Sequence, residues 1–246
     1  MSACASSSAL PSSGPSLPTP VPKPTPPPSS APLPPPPPVA APTTIRGPWT
    51  FSYTPGQYIY VVSIQGTVAT FPDSMATHPI PTATEQITII IGDSVSVVDP
   101  QPVSGGCTEQ RALVGRVLRV FPRIPSPLQA GTTWTDSTTV EGCSGTIPAQ
   151  LNMLTRYQIT GDTTINGTIA LRIDRRATFS AHGEGNRGQH RVILNAVGTE
   201  IGILLVDPAA GYILGSTSLQ HAMVDLTTSG RTSHFVQQTT ESIVKR

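Results

Sequence analysis

Charge is scarce in this chain. Only 12% of its 246 residues are Asp, Glu, Lys or Arg, and 15 basic residues stand against 14 acidic ones. A nucleic-acid binder of the usual kind carries a basic stripe, and this sequence has none. Aromatic residues make up 5%, too few for the two girdles of an outer-membrane barrel. No run comes near the roughly 18 apolar residues of a membrane-spanning helix. There are 3 cysteines and no C-x-x-C spacing, which removes a zinc ribbon and a thioredoxin-type site. Helix patterns do not alternate with strand patterns, so the nucleotide-binding α/β folds are also out.

Proline is what the chain has in excess. Of 28 prolines, 17 precede Trp49, and residues 34–38 are an unbroken run. Residues 5–47 are almost all Pro, Ser, Ala and Thr, with Lys23 and Arg46 as their only charges. Such a stretch buries too little apolar surface to offset chain entropy, and is expected to be a disordered tether. Proline fixes φ near the polyproline II value, so about 40 such residues at roughly 3.1 Å each reach on the order of 100 Å.

The residues ahead of the tether are Met1-Ser2-Ala3-Cys4, followed by Ala5-Ser6-Ser7-Ser8. This resembles the end of a bacterial lipoprotein signal, in which a small residue and Ala or Gly precede the Cys that receives lipid. Ser2 and Ala3 match; Met1 stands where Leu is usual, and the basic and apolar parts of such a signal do not precede it. The resemblance implies that residues 1–4 are the remnant of the signal and that Cys4 is lipidated. The partner is then a membrane, and the location is the bacterial cell envelope, facing the periplasm or the exterior. The alternative is a cytoplasmic protein whose true start is Met1. In an exported chain the other two cysteines, Cys107 and Cys143, are expected to pair.

Beyond Trp49 the composition turns to Thr, Ser, Val and Ile in alternation. Tyr58, Tyr60, Val62 and Ile64 share one face of a strand. Ile87, Ile89 and Ile91 share another, and Val95 and Val97 follow Gly92-Asp93 as the return of a tight hairpin. Asn166-Gly167, between Thr163-Thr164-Ile165 and Thr168-Ile169-Ala170, is the strongest hairpin signal in the chain. Ile169, Leu171 and Ile173 continue to Ala177, Phe179 and Ala181, and Arg175 breaks that face, which suggests a bulge or a strand end. Strands are further expected over 191–197, 201–206, 212–226 and 233–244, with turns at 207–211 and Ser229-Gly230. Residues 109–120 carry Leu113, Val117 and Val120 at helical spacing, so one short helix is expected there, with a strand as its rival.

The reading is an all-β fold: residues 48–246 as a single domain of roughly ten strands in a curved antiparallel meander, closing to a barrel or half-barrel. Leu128-Gln-Ala-Gly131-Thr-Thr-Trp134-Thr-Asp136 and the segment 207–211 resemble β-rich envelope lipoproteins. The architecture is similar to that of periplasmic lipoprotein-carrier proteins, which hold acyl chains on a concave face. That similarity implies an apolar ligand face, for which Ile169, Leu171, Ile173 and Phe179 are the candidates.

Motifs that suggest other chemistry read better as turns. Gly92-Asp93-Ser94 after a strand resembles the nucleophile block of GDS-type esterases, with Ser94 as the nucleophile. The residues after it, Val95-Ser96-Val97-Val98, alternate as a strand where that family has a helix. Gly183-Glu184-Gly185-Asn186-Arg187-Gly188 matches G-x-G-x-x-G, yet strand follows it as well, so a flexible hairpin loop is expected. His182, Glu184 and His190 around that loop could in principle supply metal ligands, but solvation near a glycine-rich turn accounts for them. His78, His221 and His234 show no ligand spacing, and no metal or cofactor is expected. Arg172, Arg175, Arg176, Arg187 and Arg191 read as a solvated sheet face. The expected role is therefore a non-catalytic envelope lipoprotein binding an apolar or lipid molecule. The alternatives are an interaction module without ligand and an esterase built on Ser94.

Overall fold

The computed structural model describes residues 47–71, 77–99, 107, 109–144 and 147–246. The expected lipidation site, Cys4, and the proline tether up to residue 46 lie outside them. The described part is all-β, with nine strands and one helix. In chain order these are β1 (Gly56–Phe71), β2 (Thr77–Ile91), β3 (Val95–Asp99), α1 (Glu109–Leu118), β4 (Thr133–Ser144), β5 (Ile147–Ile165), β6 (Thr168–Arg187), β7 (His190–Asp207), β8 (Tyr212–Thr228) and β9 (Arg231–Lys245). They form one antiparallel sheet in the order β3-β2-β1-β9-β8-β7-β6-β5-β4, curled into a half-barrel. Strands β4 to β9 are a plain meander. The first strand then joins the last, Val62 opposite Ile243, so the N-terminal hairpin extends the sheet past β9.

Turn chemistry sets the registers. Asn166 and Gly167 have φ of 50° and 82°, and Ser229 and Gly230 have 51° and 77°. Positive φ at both central residues gives a turn whose twist matches that of the strands it joins. The β7–β8 turn is held differently: Asp207 Oδ1 accepts hydrogen bonds from the backbone N–H groups of Ala209 and Ala210. Gly211 (φ 70°) lies against the arm that precedes β1, where an added Cβ would stand 2.3 Å from the Ser52 carbonyl oxygen.

Three expectations change at this level. Residues 191–197 and 201–206 are one continuous strand, β7, because the ladder to β6 and β8 runs straight through Gly198-Thr199-Glu200. The glycine run at 183–188 is mostly strand too; β6 extends to Arg187 and only Gly188 and Gln189 turn. Arg175 marks neither a bulge nor an end. It pairs in register with Tyr157 and Gly202 in mid-strand, and the irregularity of β5 falls instead between Ile159 and Gly161. The helix expected over 109–120 forms, as Glu109–Leu118.

The curl gives each long strand an inner and an outer face. One end of the inner face is filled. Tyr60, Val62, Ile87, Ile89, Tyr157, Ile159, Leu171, Ile173, Leu204, Val206, Ile213 and Ile243 meet there, together with Phe51 of the arm, Val117 of α1, and Val120 and Leu128 beyond it. Trp134 stacks on Tyr157, its partner across the β4–β5 ladder, at 4.9 Å between ring centres. A disulfide joins Cys107 to Cys143, tying the chain just before α1 to β4. Gly115 allows α1 to lie against β4, since a Cβ there would come within 3.3 Å of Val140.

Candidate functional site

The inward residues of each long strand change character along its length. On β6 they run Leu171, Ile173, then Arg175, then Ala177, Phe179, Ala181. On β7, read from its C-terminal end, they run Val206, Leu204, then Glu200, then Ala196 and Leu194. On β9 they run Ile243, then Glu241, then Thr239 and Gln237. Antiparallel register aligns these changes, so the half-barrel holds three zones: the packed apolar end, a belt of charge, and a second half that is not filled.

The belt is buried. Glu200 has only 1% of its side chain exposed and is in ion-pair contact with Arg175, and with Arg119 at 3.4 Å; the Gln220 side-chain amide also donates to it. Arg119, just past the end of α1, donates to Glu241 Oε2 at 2.8 Å. Arg116 in the last turn of α1 reaches the same oxygen at 3.4 Å. Three guanidiniums thus surround two carboxylates, which is what makes burial of such charge tolerable. Gly202 makes the room: a Cβ there would lie 3.0 Å from Arg175 Nε. Burial works to lower the Arg119 guanidinium, but Glu241 and Glu200 overcome it and hold that group above its ordinary value. Burial also acts on Arg116, and with Arg119 beside it the group is pulled below its ordinary value against the attraction of Glu241. Asp136 faces inward on β4 at the same level, beside Tyr53 and Tyr157.

Beyond the belt lies an open cavity of about 350 Å³. It exists because its walls are small. Ala149, Ala181, Ala196, Ala222 and Gly142 line it where the packed end has Ile and Leu. Phe179 lies flat across Gly198, its register partner on β7, where a Cβ would stand 2.4 Å from the ring. Val140, Leu151, Leu194 and Val224 complete the apolar walls, and Arg116, Arg119, Gln220, Gln237 and Thr239 form the polar margin.

Of the four residues expected to form a ligand face, the structure places Phe179 in the cavity wall. Leu171 and Ile173 sit fully buried in the packed end, and Ile169 is half-buried near the β5–β6 turn. They share a face with Phe179 but stand on the other side of the charge belt. Arg116, Arg119, Glu200 and Glu241 were not anticipated as a group. The available signal was phase: Glu200 and Glu241 fall in step with the buried apolar positions of their own strands.

The remaining candidates resolve into local contacts. Ser94 lies exposed in the bend between β2 and β3, where the Gly92 N–H donates to its carbonyl at 3.1 Å. His182 hydrogen-bonds with Asn195, His190 with Ser229 and His234 with Asp225. Glu184 makes a two-point contact with Arg191, which holds its carboxyl below the usual range. No cluster of His, Cys, Asp and Glu suited to a metal occurs among the described residues. The arginine cluster divides by parity: Arg172 and Arg176 are exposed on the outer face, Arg172 paired with Asp174, while Arg175 belongs to the belt. Comparison with protein-family models, with curated proteins and with solved structures gives no match.

Proposed function

We propose that this protein is a non-catalytic binding protein of the bacterial cell envelope, held to a membrane through lipid on Cys4 and taking an apolar or lipid molecule into the concave face of its half-barrel. The observation that carries the binding reading is the contrast along single strands. The same inner face is packed with Leu and Ile on one side of the charge belt. On the other, Ala149, Ala181, Ala196 and Ala222 stand among larger apolar residues and leave an open volume of about 350 Å³. Ligand pockets begin at about 300 Å³ and are mostly apolar with a few polar groups at one margin. The Cys107–Cys143 bridge supports an oxidising compartment, and Ser2-Ala3-Cys4 ahead of the proline tether supports the anchor.

Two measurements test the two halves of the proposal. Intact mass of the protein isolated from its own host should correspond to a chain beginning at acylated Cys4, with a gain of two hydrogens on reduction. An unacylated chain with free thiols removes the envelope reading. Separately, a fluorescent acyl probe titrated into the folded domain should bind saturably. Ala196→Phe, which projects a ring into the cavity, should abolish that binding while leaving the circular dichroism unaltered. Absence of saturable binding to the wild-type domain refutes the ligand reading.

The outer face supports a second reading, contact with another protein. Val197, Met223 and Val236 are adjacent across β7, β8 and β9 and are 51%, 62% and 47% exposed. Met223→Lys should change the apparent mass in solution if copies of the chain meet there, and should have no effect if they do not.

A further inference from the structure

The cavity is not symmetric in charge. Its walls at Val140, Leu151, Phe179, Leu194 and Val224 are apolar, and its inner margin is the charge belt, entered at Arg116 and Arg119. These two arginines differ. Arg119 is 6% exposed and is engaged with both Glu241 and Glu200. Arg116 is 32% exposed, and its contact with Glu241 falls at 3.4 Å on an oxygen that Arg119 already holds at 2.8 Å. One carboxylate oxygen is thus shared by two guanidiniums, and Arg116 has the weaker share. A guanidinium has five N–H donors in a planar fork suited to a carboxylate or phosphate.

The occupant can be narrowed by elimination. A wholly apolar ligand filling the cavity would take water from Arg116 and return no acceptor, which is costly for a charged group. A cationic head would meet two guanidiniums at the margin. A neutral hydroxyl would supply one acceptor but no charge. An anionic head supplies both. The volume, about 350 Å³, is near the lower end for ligand sites and suits one chain better than several.

Resting on the proposed binding function, we infer that the cavity takes a single-chain amphiphile with a compact anionic head, its chain along Leu151, Phe179 and Leu194 and its head on Arg116. Arg116 is then the residue that sets head-group preference. The direction of its ionisation agrees: burial and Arg119 outweigh the attraction of Glu241, so an added anion is favoured.

The test is displacement of a bound acyl probe by dodecanoate and by dodecanol, on the folded, disulfide-bonded domain, with acetate and inorganic phosphate at matched ionic strength as chain-free anions. Dodecanoate should bind on the order of tenfold or more tightly than dodecanol, the usual worth of one charge-assisted hydrogen bond. Arg116→Gln should bring that ratio close to unity, and Arg116→Lys, which keeps the charge, should retain most of it. Equal affinities in the wild type, or a ratio that survives Arg116→Gln, overturn the inference while leaving apolar binding intact. If acetate or phosphate displaces the probe as well as dodecanoate does, the ligand is a free anion and the amphiphile is wrong. If neither dodecanoate nor dodecanol binds, the inference and the binding function fall together.

Discussion

Replacing Glu200 by Gln keeps the shape of the side chain and removes its charge. In the belt this leaves three guanidiniums, Arg116, Arg119 and Arg175, around the single carboxylate of Glu241. Arg175 is 3% exposed and has its ion-pair contact with Glu200, so it becomes a buried charge without compensation. Breaking a buried pair from one side typically costs about 3–5 kcal/mol. Against a total stability of about 5–15 kcal/mol for a domain, such a change brings the protein near the edge of folding at ambient temperature. The partner change, Arg175→Met, should cost less. Glu200 then keeps Arg119 and the Gln220 amide, and two guanidiniums face two carboxylates. The double variant removes a whole pair and restores the surplus of one positive charge that the wild type has. It should therefore be more stable than Glu200→Gln alone by about 2 kcal/mol or more, within the range of coupling energies for residues in one buried network. Urea unfolding followed by far-ultraviolet circular dichroism, with the disulfide intact, reads these differences as midpoints at constant m. A loss below about 1 kcal/mol for Glu200→Gln, or strict additivity of the two single changes, would refute the reasoning. Either result means that water, not the opposite charges, solvates the belt.

Three further outcomes follow from the same structure. Reducing Cys107–Cys143, which spans 36 residues of sequence, should lower stability by about 4 kcal/mol on the loop-entropy account, measured by comparing urea midpoints with and without reductant. Gly167→Ala should cost about 1–2 kcal/mol, because φ at that residue is 82° and a Cβ is disfavoured there, whereas Gly92→Ala, at a bend where an added Cβ meets nothing within 4 Å, should cost much less; thermal unfolding distinguishes them. Burial raises the phenols of Tyr53 and Tyr60, and also that of Tyr157 against the pull of Arg175. The unfolded chain ionises near pH 10 while the folded one holds these protons, so their contribution is fully present below pH 10 and is lost as pH rises beyond it. Absorbance at alkaline pH should show these phenols ionising together with loss of structure, and independent ionisation before unfolding would contradict their burial.

Much of the architecture was readable because it is written at period two. Ile87, Ile89 and Ile91, or Tyr58, Tyr60 and Val62, can bury one face only as strands, and Asn166-Gly167 can only turn. Two of the differences between expectation and structure share a physical origin. Arg175 and Glu200 each interrupt an apolar face; Arg175 suggests a bulge or a strand end, and residues 198–200, which include Glu200, fall between two expected strands. They interrupt it because they compensate each other across the β6–β7 ladder, with Arg119 and Glu241 completing the set. A local pattern sees a charge in an apolar row; it does not see the opposite charge about twenty-five residues further along. The same limit explains the misplaced ligand face. Ile169, Leu171, Ile173 and Phe179 do share a strand face, and alternation says no more than that.

The amino-acid sequence by itself determined the strand-rich class and most of the hairpins, and it offered the helix before β4 and the pairing of Cys107 with Cys143 as one of two readings each. Each of these depends on neighbours within a few residues or on simple count. Tertiary structure alone decided that the first strand closes against the last, that the curl has a packed end and an open one, and that a charge belt divides them. Those features depend on which residues of separate strands come to the same level. That level is set by accumulated register over the five consecutive hairpins from β4 to β9, and no segment of the chain carries it alone.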